Sequence, residues 1–251
     1  MTRTVVISGG GSGIGLATAR CFAAEGDQVV LAGRRPDVLD EAVRRVPGAL
    51  AVPADLATAA GARQVARVVA AEFGAVDVLV HSAGGNGGRE PEPADLDRTD
   101  PVAGAEHDWT LNFRLNALTA VLLTEALRSR LASPGGRVLF LSSIAAYRGS
   151  GSAAYAASKA ALHPYAFDLA RTLGPRGVTV NVVAPGYVES TEFFGEGLSP
   201  ERHEHLVAET FTGRPGTPGD VAETLHWLAS HSAGHITGQV VQVNGGARLG
   251  L

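Results

Sequence analysis

A phenol and an ammonium stand four residues apart, close behind a pair of hydroxyls: Ser142 and Ser143 are followed by Tyr155 and Lys159. The Ala-rich sequence from Ala153 predicts a helix, on which positions i and i+4 share a face. An ammonium about 5 Å from a phenolate stabilises it by roughly 3 kcal/mol at an effective dielectric of about 20. This would bring the pKa of the phenol from about 10 to about 8, suited to proton exchange with a carbonyl or alcohol oxygen. The stretch predicts an acid/base site; the alternative is a solvated helical pair.

A glycine-rich loop near the N-terminus predicts a dinucleotide site. Residues 4–8 form a short apolar run, the loop GGGSGIG follows, and a helical sequence closes at Gly26. Gly9, Gly13 and Gly15 would permit a tight turn and let backbone N–H groups approach a pyrophosphate at the helix N-terminus. The alternative is a plain turn.

The end of the second predicted strand bears on the choice of nucleotide. In dinucleotide-binding folds an acid at this point accepts hydrogen bonds from the adenosine ribose. Here Gly33 occupies that place, and Arg34 and Arg35 follow. A guanidinium beside a vacated acid position suits a 2′-phosphate, so we expect NADP(H). The alternative is that the arginines only begin the next helix.

Strand-like and helix-like segments alternate along the chain, which predicts an α/β fold with a parallel, doubly wound sheet. We expect one domain over residues 1–251, with helices on both faces of the sheet. Residues 85–108 are polar and rich in Gly and Pro and predict a loop, either at the substrate mouth or as a surface excursion. A long helix is expected over about 109–130, and a substrate-covering lobe over about 187–217.

Two further helices are expected in the second half of the chain. One runs from Ala153 to about Leu173, and one runs over 220–230 with Asp220 as its N-cap. The eight histidines show no metal-ligand spacing, because His203 and His205 would point to different faces of a helix. We therefore expect no metal.

Composition excludes several classes of protein. Of its 251 residues, 45% are hydrophobic and 18% are charged. The net charge is −4 and no block of basic residues is present, so we do not expect nucleic acid or anionic membranes as partners. No apolar run of about 20 residues and no signal peptide are present, which predicts a cytoplasmic protein. Cys21, the one cysteine, is expected to be buried in packing.

The chain resembles the short-chain dehydrogenase/reductase family over about residues 4–246. The resemblance is carried by SGGGSGIG, the strand end HSAGG, Asn116, Ser143, Tyr155-x-x-x-Lys159 and the turn Pro185-Gly186. It implies a Rossmann-type sheet of seven strands, a dimeric or tetrameric assembly, and an Asn–Ser–Tyr–Lys tetrad.

The roles in this tetrad follow from the resemblance. Tyr155 would protonate the substrate carbonyl oxygen, and Ser143 would polarise the same oxygen. Lys159 would lower the pKa of Tyr155 and hydrogen-bond the nicotinamide ribose. Asn116 would hold a water that relays protons to Lys159.

The resemblance also implies the residues that contact the ligands. Asp55 would contact the adenine, and Ser190 or Thr191 the nicotinamide carboxamide. The expected cofactor-binding residues are Ser8, Gly9, Gly11, Ser12, Gly13, Ile14, Gly15, Arg34, Arg35, Asp55, Leu56, Ser82, Ala83, Gly84, Tyr155, Lys159, Pro185, Gly186, Val188, Ser190 and Thr191. The expected substrate contacts are Ser143, Tyr187, Phe193 and Phe194, of which the three aromatic residues form either a flat pocket or simple packing.

Several positions depart from the family pattern. Ser8 replaces the customary Thr and keeps the hydroxyl. His81 and Ser82 replace the customary Asn-Asn before Ala-Gly, and with them two amides that help to hold the strand end.

The predicted function is an NADPH-dependent ketoreductase that makes a secondary alcohol from a ketone. The lobe YVESTEFFGEGLSPER and the stretch NFRLNALTAVLLTEAL resemble actinobacterial ketoreductases of aromatic polyketides, including the angucycline type. One alternative is a 3-oxoacyl-carrier-protein reductase or an NAD-dependent secondary alcohol dehydrogenase. Another is a non-catalytic nucleotide-sensing protein, against which the intact tetrad argues.

Overall fold

The apolar segments of the sequence become the strands of one sheet. A computed structural model describes residues 2–87, 90–194 and 197–250, with only the backbone of Phe194. Within these ranges the strands are β1 (Thr4–Ser8), β2 (Gln28–Gly33), β3 (Leu50–Pro53), β4 (Val78–His81), β5 (Arg137–Leu141), β6 (Thr179–Pro185) and β7 (Val240–Val243). They form a seven-stranded sheet in the order β3-β2-β1-β4-β5-β6-β7, and each neighbouring pair is parallel.

Helices connect the strands and cover the sheet. In chain order they are α1 (Gly13–Ala24), α2 (Pro36–Arg45), α3 (Ala59–Glu72), α4 (Pro101–Phe113), α5 (Thr119–Leu127), α6 (Ala145–Arg148), α7 (Ala153–Ala160), α8 (Leu162–Leu173), α9 (Pro200–Ala208) and α10 (Pro218–Leu228). The predicted doubly wound α/β fold with seven parallel strands is confirmed.

Both faces of the sheet are buried under helices. One apolar cluster joins the sheet to α3, α5 and α8 through side chains such as Val65, Leu123 and Leu169. The other joins it to α1, α2 and α10 through side chains such as Phe22 and Leu225. A fully buried side chain of this size contributes about 1.5–3 kcal/mol. Burial on both faces explains why the central strands are apolar throughout rather than alternating.

The strand order places a crevice at the centre of the sheet. Neighbours β1 and β4 are separated by two strands in sequence, so the connections on either side of them run in opposite directions. Ligands of open α/β sheets bind outside the carboxyl ends of the strands at such a switch point. The glycine loop follows β1 there, and residues 82–87 follow β4.

The helix expected over 109–130 begins earlier than predicted. Asp100 caps α4, and its carboxylate accepts hydrogen bonds from the N–H groups of Val102 and Ala103. Pro101 takes the first helical position, where its missing N–H costs nothing. The end of the predicted loop 85–108 is therefore helical.

The same helix is interrupted in its middle. Residues Arg114–Leu118 form a π-helical turn between α4 and α5, and Asn116 lies within it. A π-helical turn holds one more residue than an α-helical turn and often marks a functional position. The predicted helix therefore continues through this point, but with a π-helical turn in place of an α-helical one.

The helix expected from Asp220 begins at Pro218, and its N-cap is Thr217. The Thr217 hydroxyl accepts a hydrogen bond from the Asp220 N–H at 3.2 Å, and the Asp220 carboxylate accepts one from the Thr217 N–H at 2.7 Å. Asp220 is thus the third residue of a capping box rather than the cap.

Three smaller findings complete the description. The helix expected over 153–173 is two helices, α7 and α8, that meet at Ala161. Cys21 is more exposed than predicted, and partial burial next to Glu223 raises the pKa of its thiol to about 11. In the part of the chain that the structure describes, no helix has the length and apolar character to cross a membrane, and no three His, Cys, Asp or Glu side chains gather as metal ligands.

Candidate active site

A cavity of about 1080 Å³ opens at the carboxyl ends of the central strands. The predicted cofactor-binding residues line it, except for Ser8, Gly15 and Ser190. Ser143, Tyr187 and Phe193 line it as well, whereas Asn116 lies outside the lining. The side chain of Phe194 lies outside the described residues. The residues gathered here come from segments far apart in the sequence.

The glycine loop closes tightly against the end of β4. Gly9 has a φ of +66°, and a Cβ on it would lie 2.7 Å from the backbone nitrogen of Ala83. A Cβ on Gly15 would overlap the carbonyl oxygen of Gly9. The Ser8 hydroxyl reinforces the same junction by accepting a hydrogen bond from the Ala83 N–H at 3.1 Å. Only glycine therefore fits at these two loop positions.

Tyr155 and Lys159 lie side by side on α7, and both are almost fully buried. The Lys159 ammonium donates a hydrogen bond to the carbonyl oxygen of Leu141, at the end of β5, at 3.0 Å. Ser143 follows that strand end, and its hydroxyl accepts a hydrogen bond from the Ala145 N–H at 3.1 Å. A hydrogen-bond contribution from Ser143 lowers the pKa of the Tyr155 phenol. The structure therefore brings three members of the predicted tetrad together.

The predicted direction of the Tyr155 pKa is wrong in this structure. Burial raises the pKa of the phenol to about 12, against the lowering effect of the hydrogen bond with Ser143. Burial also lowers the pKa of the Lys159 ammonium to about 8. The cost of removing each group from water dominates both shifts, and helical spacing alone does not reveal that cost.

Asn116 is held behind the cavity by backbone groups. Its Oδ1 accepts from the Gly85 N–H at 2.9 Å, and its Nδ2 donates to the carbonyl oxygens of Gly85 and Asn112, both at 3.0 Å. A Cβ on Gly84 would lie 2.5 Å from Asn116 Oδ1 and 3.0 Å from Lys159 Nζ. Asn116 and Lys159 therefore meet at the backbone of Gly84.

Asn112, one helical turn before Asn116, supports the same loop. Its Oδ1 accepts a hydrogen bond from the Gly87 N–H at 3.2 Å, and its Nδ2 donates to the Asp108 carbonyl at 2.8 Å. The prediction gave Asn112 no role. Its spacing of four from Asn116 on one helix was the available signal.

His81 stands where the family has an asparagine, and it makes different contacts from an amide. Its Nε2 lies 2.8 Å from the Thr124 hydroxyl, and its ring stacks on Phe140 at 4.6 Å. Complete burial lowers its pKa to about 3, so His81 is neutral at physiological pH. The strand end is thus fixed by packing against α5.

Ser142 forms a contact that the sequence did not predict. Its hydroxyl donates to the Lys159 carbonyl at 3.1 Å and lies 2.7 Å from Nε2 of His163. With the hydroxyl proton directed at that carbonyl, His163 must donate from Nε2. The first hydroxyl of the pair therefore ties α7 to the end of β5, and the second faces the cavity.

The two predicted phosphate-binding arginines carry acidic partners. Arg34 forms two hydrogen bonds with the Glu90 carboxylate, at 2.8 and 2.6 Å, and Arg35 forms one with Glu192 at 2.7 Å. Both acids line the cavity, and neither was predicted. They lie 56 and 157 residues away from their arginines in sequence, where no local pattern can point to them.

The structure distinguishes the two hydroxyl residues that follow the Pro-Gly turn. Ser190 is exposed and has a φ of +54°. Thr191 lines the cavity, and its methyl carbon lies 3.7 Å from where a Cβ on Gly13 would stand. Thr191 is therefore the residue placed over the glycine loop.

Aromatic side chains border Tyr155 on the lobe side. The ring of Phe193 lies 5.1 Å from the ring of Tyr155. The Tyr187 hydroxyl lies 2.8 Å from Nδ1 of His203 on α9, a contact within the lobe. Arg148, at the end of α6, ties the lobe to the rest of the cavity wall through Glu209 at 2.6 Å.

A second cavity of about 540 Å³ adjoins the first, and Asn86 and Ser152 line both. Its other walls come from Arg98 before α4, from residues along α4 such as Trp109, and from the start of α7. The open space next to Tyr155 and Lys159 thus continues beyond the first cavity toward α4.

Comparison with known proteins shows which family the chain resembles. A family profile described as enoyl-(acyl carrier protein) reductase matches residues 9–248. A protein described as a ketoacyl reductase of the monensin polyketide synthase, from Streptomyces virginiae, is 35% identical and covers 98% of this chain and 97% of its own. The 3-oxoacyl-[acyl-carrier-protein] reductase FabG of Escherichia coli is 30% identical over 97% and 96% of the two chains.

A solved structure agrees in both fold and sequence. A short-chain dehydrogenase/reductase from Brucella melitensis, titled a glucose/ribitol dehydrogenase, superposes with a TM-score of 0.86 at 30% identity and covers 99% of this chain and 97% of its own. The chain belongs to the short-chain dehydrogenase/reductase family. It is an oxidoreductase of that family, whose cofactors are NAD(P)(H).

The residues present fit the dinucleotide that short-chain dehydrogenases/reductases use. Gly13 and Ile14 open α1 toward the cavity, and the first N–H groups of a helix lack intrahelical acceptors and attract phosphate. Among the described residues, Leu141 supplies the one hydrogen-bond acceptor of Lys159, so other N–H groups of the ammonium would be available to a bound cofactor.

Proposed function

We propose that the chain is an NADPH-dependent ketoreductase that converts a ketone into a secondary alcohol. The observation that supports this most directly is the meeting of Ser143, Tyr155 and Lys159 at the carboxyl end of β5, inside the cavity that the glycine loop opens. This site pairs a proton donor with a cofactor groove. A protein that only sensed nucleotide would have no use for the buried phenol and ammonium.

The chain supplies the proton and the orientation of the ketone. The Tyr155 phenol, protonated because its pKa is about 12, donates its proton to the carbonyl oxygen, and the Ser143 hydroxyl hydrogen-bonds the same oxygen. The charge of Lys159, held at Leu141 O, stabilises the phenolate as it forms. When bound, the nicotinamide supplies the hydride. The backbone-held amide of Asn116 stands next to Lys159 at Gly84, where a proton relay would pass.

The preference for NADPH rests on the end of β2. Gly33 leaves no carboxylate there, and Arg34 and Arg35 line the adjoining part of the cavity. A planar guanidinium suits a 2′-phosphate, whereas a ribose hydroxyl calls for an acid. Asp55 and Leu56, at the end of the next strand, would border the adenine.

For the substrate, we propose a ketone on an aromatic polyketide intermediate. Phe193 supplies flat apolar surface beside Tyr155, and Tyr187 lines the same cavity. The second cavity leaves room for a substrate larger than the reacting carbonyl. The monensin-associated relative provides a link to polyketide chemistry. Residues 187–217 would form the lobe that covers this substrate.

The test combines cofactor titration with a substrate panel. Purified protein is titrated with NADPH and NADH, followed by nicotinamide fluorescence, and then incubated with polycyclic aromatic ketones while the loss of reduced nicotinamide is recorded. We expect tighter NADPH binding and turnover of at least one polycyclic ketone. Tighter NADH binding would overturn the cofactor assignment, and turnover of simple ketones alone would overturn the substrate class.

A 3-oxoacyl-carrier-protein reductase is the second candidate. The Escherichia coli relative, a reductase of that name, favours it. The same assay with a 3-oxoacyl thioester, free and carrier-bound, separates the two functions. Faster turnover of the carrier-bound thioester than of any free ketone would make this the function.

We further propose a homo-oligomer, a dimer or a tetramer, and a cytoplasmic protein. Trp109, Phe113 and Phe167 are each more than a third exposed, and the rings of Trp109 and Phe113 stack 6.5 Å apart. Adjoining exposed apolar side chains mark interaction surfaces. Light scattering of the purified protein gives the mass that tests this. A monomer at micromolar concentration would overturn it.

A further inference from the structure

Glu90 occupies the edge of Arg34 that a phosphate would need. Its two carboxylate oxygens accept hydrogen bonds from Nη1 and Nη2 of Arg34 at 2.8 and 2.6 Å, a fork-to-fork pair. Arg34 holds the pKa of this carboxyl below its usual range, so Glu90 is charged at neutral pH. Both side chains line the cavity where the 2′-phosphate is proposed to bind.

A carboxylate and a phosphate use the same two N–H groups of a guanidinium. Arg34 therefore cannot hold Glu90 and a 2′-phosphate in this bidentate manner at once. Arg35, the other cation at this end of the cavity, donates to Glu192 at 2.7 Å. Both guanidinium groups at the end of β2 are thus already matched by acids of the same chain.

We propose that Glu90 determines the strength of cofactor discrimination by competing with the 2′-phosphate for Arg34. This inference rests on the proposed NADPH preference and deepens it. NADPH must displace the Glu90 carboxylate, whereas NADH, with a hydroxyl in place of the phosphate, leaves the pair intact. The chain consequently binds NADPH less tightly than its arginines alone would allow.

The experiment compares Glu90→Gln with Glu92→Gln in the full-length protein. Glu92 lies in the same segment, pairs with Arg98 and does not line the cofactor cavity, so its substitution makes the same change in charge away from Arg34. Dissociation constants for NADPH and NADH are measured by nicotinamide fluorescence. We expect Glu90→Gln to tighten NADPH binding about fivefold, in line with a partly exposed ion pair, with less than about a twofold effect on NADH. Glu92→Gln changes neither.

Arg34→Ala and the double variant Arg34→Ala/Glu90→Gln complete the cycle. If Glu90 acts through Arg34, Glu90→Gln has no effect once Arg34 is removed. Equal tightening of NADPH and NADH by Glu90→Gln, or no tightening, would overturn the inference while the NADPH preference stands, provided that Arg34→Ala still weakens NADPH selectively. Equal losses of both nucleotides in Arg34→Ala would overturn the proposed preference itself.

Discussion

Lys159 Nζ is hydrogen-bonded to the carbonyl oxygen of Leu141, so the ammonium of α7 is anchored to the carboxyl end of β5. This contact fixes the charge at the strand end that leads into Ser142 and Ser143. It also holds the ammonium in an environment that lowers its pKa to about 8. Protonation of Lys159 is therefore expected to change within the range in which enzymes are assayed.

The reduction rate should fall as pH rises through about 8, because Lys159 loses its charge while Tyr155 stays protonated up to about 12.

The same shift in the pKa of Lys159 should make the protein more stable as pH rises. The unfolded chain, with a lysine pKa of 10.5, binds more protons than the folded chain between about 8 and 10.5, so this group makes the free energy of unfolding rise with pH there. Lys159 is the one lysine of the chain, so isotope-labelled lysine gives a single NMR titration. A titration midpoint near 10.5 would contradict this prediction.

Tyr155→Phe should lower kcat by about 10²-fold or more, since general acid catalysis typically contributes 10²–10⁴-fold. NADPH affinity should stay within about threefold, because the substitution removes one hydroxyl and keeps the ring. Tyr165→Phe is the matched control, as Tyr165 hydrogen-bonds Glu125 away from the cavity. Steady-state kinetics and nucleotide titration of both variants test this. A rate near the wild-type value in Tyr155→Phe would show that another group donates the proton.

Arg34→Ala should weaken NADPH binding by about tenfold or more and NADH binding by about twofold, since hydrogen bonds to charged groups contribute about 1.5–3 kcal/mol. Arg44→Ala is the control, because Arg44 pairs with Glu41 on the exposed side of α2. Fluorescence titration with both nucleotides provides the measurement. A loss shared equally by NADPH and NADH would be inconsistent with phosphate recognition.

Gly9→Ala should cost more stability than Gly26→Ala, although both glycines have positive φ. The left-handed backbone costs an alanine roughly 1–2 kcal/mol at either position. At Gly9 a Cβ also meets the backbone of Ala83 at 2.7 Å, whereas at Gly26 it meets nothing within 4 Å. Urea denaturation gives the two stabilities, and nucleotide titration should show weakened binding for Gly9→Ala alone. Equal stabilities would mean that the loop relaxes without cost.

Thr217→Ala should destabilise the protein by about 1 kcal/mol through loss of the α10 cap, whereas Thr217→Ser should be nearly neutral.

Asp220, the other residue of this capping box, should make the stability of the protein depend on pH. Hydrogen bonds from Arg214 and from the Thr217 N–H hold the pKa of Asp220 below its ordinary value of 3.8. Its stabilisation is thus complete above that value and is lost as pH falls below it. Urea denaturation at several pH values should show a shallower acid loss in Asp220→Asn; an unchanged slope would contradict this.

The sheet was predictable because its strands are apolar runs between turn residues, and the pair Tyr155 and Lys159 because four-residue spacing on a helix is a local property. The start of α4 was missed although Asp100 and Pro101 form a strong N-terminal signal. A surrounding segment rich in Gly and Pro concealed that signal. No local sequence signal marks the π-helical turn at Asn116. The side chain of Asn116 is held there by backbone groups of Gly85, in the loop after β4.

The sequence alone could not predict interaction energies that depend on burial or on partners distant along the chain. Spacing predicted a lowered pKa for Tyr155, but desolvation by the folded chain raises it, against the lowering effect of Ser143. Arg34 was recognised as a cation at the end of β2, but its carboxylate partner Glu90 comes from a loop that no periodicity positions. Both effects arise from tertiary packing.

The extra residue in the turn Arg114–Leu118 acts as an angular offset within one continuous helix. One α-helical residue corresponds to about 100° of rotation, so the halves before and after this turn have different rotational phases. Asn112 can thereby support the loop after β4 while Leu123 and Leu127 still enter the core. A shortened variant lacking one residue of this turn would bring the halves into one phase, and either the loop support or the core packing would be lost.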